Sequence, residues 1–133
     1  MALKRPPKLT EIVTAGSGEL KQIQLKFKGG IESPVIDANP SDTAQTESYR
    51  VRDFAIRSIT CREYDCKYLH QIKITYDDNG KEEVTRLYDR DGVEAEKLLP
   101  AKHVIVGFYG TYITNNWISS LGFILMDVST FDN

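Results

Sequence analysis

An all-β fold is what this 133-residue sequence predicts, and three observations carry the prediction. Apolar and polar residues alternate with period 2 in several stretches, which is the pattern of strands with one wet face. No long stretch spaces its apolar residues by three and four, so little helix is expected. Apolar anchors also recur along the chain at a fixed offset of 49 residues.

Near the start, KLTEIVTA reads as a strand. In LKQIQLKFKGG, Ile23, Leu25 and Phe27 alternate with Gln22, Gln24, Lys26 and Lys28, and Gly29-Gly30 suits a tight hairpin turn. ANPSDTAQTES (38–48) is a long polar connection, and AIRSITCREY (55–64) is strand-like again. In LHQIKITYDDNG, Ile72, Ile74 and Tyr76 alternate with Gln71, Lys73 and Thr75 before an Asn79-Gly80 turn. A second polar connection, DGVEAEKLLPA, spans 91–101. Within it VEAEKLL is open between a short helical turn and an edge segment before Pro100. VIVGFYGTYITNNWISSLGFIL (104–125) is an apolar run, a polar and aromatic loop, then a second apolar run.

The last stretch is one copy of a recurring unit. Leu20, Ile23, Leu25 and Phe27 match Leu69, Ile72, Ile74 and Tyr76 at an offset of 49, and a further 49 gives Ile118, Leu121, Phe123 and Leu125. At the same offset AIRSITCREY lies over VIVGFYGTYI, and Tyr68 over Trp117. Repeats of this length constrain a fold more than any local reading. They divide a single domain (1–133) into units of roughly 20–68, 69–117 and 118–133, the last completed by residues 1–19. The expectation is a closed three-fold β structure, because closure removes exposed sheet edges.

Composition narrows the function. The 41% hydrophobic and 27% charged residues are those of an ordinary globular protein, long enough for a real core. A formal net charge of −2 gives no pull toward nucleic acid or an anionic membrane. The basic start MALKRPPKL is followed by no apolar run of signal-peptide length, and no run approaches a membrane span. A soluble, cytoplasmic protein is therefore expected. Cys61 and Cys66 match no zinc spacing and read as unlinked thiols, with one small disulfide as the alternative. Asp77, Asp78 and Asn79, like Asp89 and Asp91, are explained by turn chemistry, since neither stretch ends in the bidentate Glu of a calcium loop. There is no nucleophile elbow, phosphate loop or metal-binding His pair, so no catalytic residue, metal or cofactor is expected.

VIVGFYG, a loop, and then WISSLGFIL resemble the C-terminal signature of the jacalin-related, mannose-binding type lectins. AGSGELKQIQLKF is similar to the glycine-rich first loop of that family and the strand it leads into. The resemblance implies a β-prism I, three Greek-key sheets about a pseudo-three-fold axis. A β-trefoil is the alternative three-repeat fold. It also implies sugar binding by a loop patterned Gly-x-x-x-Asp, whose carboxylate accepts charge-assisted hydrogen bonds from two sugar hydroxyls. Here Asn115 replaces the glycine and Ser119 the aspartate, while the positions 49 and 98 residues earlier hold His70 and Lys21. The candidate ligand-binding residues are Asn115, Asn116, Trp117 and Ser119, with Gly16 and Gly18 of the first loop and Tyr88 beside them. Structural readings compete: Trp117 as packing at a sheet's start, like Tyr68, and Gly16 and Gly18 as a plain turn. Two functions follow. One is recognition of mannose-type or other glycans through a degenerate site. The other is a protein–protein or homo-oligomer assembly module that keeps the fold without binding sugar.

Overall fold

The computed structural model describes residues 5–16, 19–40, 45–52, 55–64, 68–77, 82–86 and 93–131, and every regular element among them is a strand. The first sheet is built from β1 (Leu9–Gly16), β2 (Leu20–Phe27), β3 (Ile31–Glu32), β4 (Ile36–Asp37) and β5 (Gln45–Arg50). β2 pairs with β1, and β5 returns to the other edge of β1, giving the order β3-β2-β1-β5 with β4 also on β2. Three consecutive strands with a fourth returning beside the first make a Greek key.

Local chemistry explains its irregularities. Gly29 and Gly30 both adopt positive φ, 89° and 76°, which a side chain would strain, so glycine fits this hairpin. β3 and β4 are two halves of one outer strand interrupted at Pro34, which has no N–H to give a ladder. Ser33 fills the gap: its N–H donates to Leu25 O at 2.9 Å, and its Oγ accepts Leu25 N–H at 2.9 Å.

The second sheet repeats the plan with β6 (Ile56–Tyr64), β7 (Tyr68–Tyr76), β8 (Glu82–Arg86) and β9 (Val93–Leu98), in the order β8-β7-β6-β9. VEAEKL is thus an edge strand, not a helical turn. The third sheet pairs β10 (His103–Tyr112) with β11 (Ile118–Asp127), two strands among the described residues. One expectation needs correction. The KLTEIVTA segment lies in β1, hydrogen-bonded between β2 and β5, and does not complete the unit that begins at 118. The alternation in Leu9–Gly16 suits either sheet, and what decides is the pairing register with both neighbours.

The three long hairpins share an unusual detail. Each carries two one-residue bulges. Near the tips, Lys21, His70 and Ser119 are the unpaired extra residues, between Gln22 and Leu20, Gln71 and Leu69, and Ser120 and Ile118. Toward the other ends Thr10, Arg57 and Val106 are skipped in the same way. A bulge sharpens strand twist and bends the ribbon, which lets each hairpin wrap the common core. That core draws Ile12, Ile23 and Leu25 from the first sheet, Ile59, Ile72 and Ile74 from the second, and Ile105, Ile118 and Phe123 from the third. Cys61 is buried in it with a free thiol, and burial pushes that thiol up to about 12. Cys66 lies outside the described residues.

Candidate functional site

The turn of the third hairpin meets the first sheet at Ala38 and Asn39, just past β4. Asn115 sits in the β10–β11 turn with φ 64°, a left-handed conformation that Asn tolerates better than most side chains. The turn is closed by Ile113 N–H to Trp117 O and Asn116 N–H to Ile113 O, both at 2.9 Å. Asn115 N–H donates to Ala38 O at 2.7 Å, and Asn39 Nδ2 donates to Asn115 O at 3.0 Å. Ala38 N–H in turn donates to Lys21 O at 2.8 Å. The loop is therefore pinned to the first sheet through its own backbone. Its backbone N–H groups at Ile113, Asn115 and Asn116 are already spent within the protein.

Beside this turn the bulge at Ser119 places three hydroxyls together. Thr111 Oγ1 lies 2.8 Å from Ser119 Oγ and 2.6 Å from Ser120 Oγ, and Thr111 N–H donates to Ser120 Oγ at 3.1 Å. Gly110 makes room: a Cβ there would stand 2.1 Å from Ser120 O. Tyr112 and Ile113 are about half exposed next to the cluster, at 51% and 47%. The patch thus combines exposed hydroxyls and amides, which can donate and accept, with an apolar shoulder. None of Thr111, Tyr112, Ile113, Ser119 and Ser120 is a carboxylate.

The other sequence candidates fall as follows. Asn116 is exposed, with Nδ2 donating to Thr114 O at 3.3 Å. Trp117 is half-buried where β11 begins, closer to the packing reading than to an open stacking surface. Gly16 is the buried end of β1, paired with Leu20 and Gln45, so it belongs to the ladder and not to an open loop. Gly18 and Tyr88 lie outside the described residues, as do Asp78, Asn79, Asp89 and Asp91. Thr111, Ser120, Ala38 and Asn39 complete the site and were not singled out from sequence. Thr111 and Ser120 stand opposite one another in the register, and a hairpin alignment drawn from the turn outward would have found that pair. Nothing local marks Ala38 and Asn39, which come from a different sheet.

No protein-family model matches the sequence, and no curated protein matches it. Solved structures do. A prostate-specific WGA16 glycoprotein lectin is 18% identical with a TM-score of 0.70, covering 95% of this chain and 87% of its own. Jacalin in complex with melibiose is 11% identical with a TM-score of 0.66, covering 92% and 94%. Frutalin from Artocarpus incisa in complex with galactose is 11% identical with a TM-score of 0.66, covering 92% and 95%. At these identities the likeness is one of fold. The chain has the β-prism fold of the jacalin-type lectins, in agreement with the resemblance read from 104–125, and the β-trefoil alternative falls away.

Proposed function

We propose that this chain is a non-catalytic binding module that recognises carbohydrate at the tip of the third hairpin. The observation that carries the reading is the Thr111–Ser119–Ser120 hydroxyl cluster, in the same hairpin end that exposes Tyr112, Ile113 and Asn116. Alternating hydroxyl and amide groups complement sugar hydroxyls, and an apolar edge receives the C–H face of a pyranose. Structural neighbours bound to melibiose and galactose support the same use of the fold. Neutral hydrogen bonds are roughly half as strong as those to a carboxylate, so the affinity expected is weak. Calorimetric titration with methyl mannoside and methyl galactoside tests this. Saturable millimolar binding to one of them, lost in Ser119→Ala, is the expected result. No heat with either sugar, or full binding by Ser119→Ala, counts against it.

A second reading has its own observation. The outer face of the β10–β11 ribbon exposes Tyr109, Ile124 and Met126, with the Tyr109 ring lying across Gly122 and Ile124 across Gly107. An exposed apolar strip on a two-stranded ribbon suits assembly with a protein partner. Monomeric behaviour at all concentrations would leave the sugar reading alone.

A further inference from the structure

The ends of the hairpins opposite their tips line an open cavity of about 840 Å³. It lies at the far pole from the Ser119 cluster and is independent of the sugar reading. Its wall is mixed, and the apolar part is made by Leu9, Leu99, Ile105 and Val128, which are buried, with Ile56 and Val104, which are half-buried. Among the described residues, four cations, Arg5, Lys8, Arg57 and Lys102, stand exposed around it, against one lining carboxylate, Asp77. Asp127 also acts on Lys102 and His103, but it accepts the Ser129 N–H at 2.8 Å and lies outside the lining.

A second feature points to the same place. Lys102 has φ 61° in the turn closed by His103 N–H to Pro100 O at 3.2 Å. The third residue of such a turn favours glycine, which alone takes positive φ freely. Strained backbone of this kind clusters at functional sites. A glycine would satisfy the turn without strain, but only Lys102 puts an ammonium on this part of the cavity rim.

We propose that this cavity binds an amphipathic anion, its apolar body among Leu9, Ile105 and Val128 and its head held by Lys102 and Arg57. The volume falls within the roughly 300–1,000 Å³ of sites for small organic ligands. The test is an amide NMR titration of the full chain with dodecanoate below its micelle concentration, beside dodecyltrimethylammonium as the opposite charge. Saturable shifts at 55–57 and 99–105 with dodecanoate, weaker with the cation, are expected. Lys102→Gly separates site from fold: relief of strain raises the melting temperature by a few degrees, while loss of one charged hydrogen bond weakens dodecanoate by about tenfold. Arg57→Gln weakens it similarly at unchanged melting temperature. Equal binding of both amphiphiles, absence of saturable shifts at these residues, or full affinity in both variants overturns the proposal.

Discussion

The first and third hairpins stand on the same backbone frame and present different chemistry from it. In β1–β2 the bulged residue near the tip is Lys21, 8% exposed, with its ammonium 3.1 Å from Glu19 and its carbonyl accepting Ala38 N–H. In β10–β11 the bulged residue is Ser119, whose hydroxyl joins an exposed cluster with Thr111. The first hairpin is flanked on both sides, by β5 and by β3 with β4. The third has no flanking strand among the described residues. A bulge fixes where a side chain is aimed, while flanking strands decide whether that side chain is enclosed or left to meet a ligand. Frame and function are thus separable, and substitutions should separate them.

The largest effects belong to the shared frame. Ile23→Ala and Ile72→Ala remove fully buried side chains at equivalent places, and each should cost about 2–5 kcal/mol in denaturant unfolding. A large difference between the two would break the equivalence of the hairpins. Next is Gly110→Ala, where the added carbon meets backbone at 2.1 Å and no side chain can yield. Its cost should reach or exceed about 1–3 kcal/mol, and it should shift amide resonances along β10 and β11 while sparing β1 and β2.

How much of this frame was legible can be judged at the same residues. Alternation in 20–27 and 69–76 marked the strands, and the offset of 49 led to Leu20, Leu69 and Ile118, all buried. The bulges were legible in principle too. In each copy the apolar step from Leu20 to Ile23, Leu69 to Ile72, or Ile118 to Leu121 is three residues, not two, because an extra residue is inserted there. Alternation alone could not name the destination of Leu9–Gly16, although one step of 49 back from AIRSITCREY (55–64) lands on 6–15 and puts this strand before β2 as β6 stands before β7. Nor could the pinning of Asn115 by Ala38 and Asn39 be read, a contact across 76 residues with no motif of its own. A glycine beside a turn looks the same in sequence whether its backbone is open or, as at Gly16, already in a ladder.

Smaller effects test what is mounted on the frame. Lys21→Ser leaves Glu19 without its ion pair in a mostly enclosed place and should cost about 1–3 kcal/mol. The reciprocal Ser119→Lys, at a half-buried position with no flanking strand among the described residues, should cost less, about 0.5 kcal/mol. Comparable costs for the two exchanges would contradict the contrast drawn between the hairpins. Smallest is the base of the third hairpin. The Ser129 side chain and backbone, then the charges of His103 and Lys102, hold Asp127 below the usual carboxylate range. A lowered value in the folded state means stability that is full above the ordinary carboxylate pKa, about 3.9, and lost as pH falls through the lowered one. Wild type and Asp127→Asn should therefore differ slightly near neutrality and converge in acid.

The central proposal is that the half-buried bulge at Ser119, beside exposed Thr111 and Ser120, is a working ligand position and the enclosed bulge at Lys21 is not. Amide NMR of the labelled chain, titrated with methyl mannoside and then methyl galactoside, tests it directly. Saturable shifts confined to residues 111–120, with 19–24 still, is the predicted result. Shifts centred on 19–24, or none with either sugar, would contradict it.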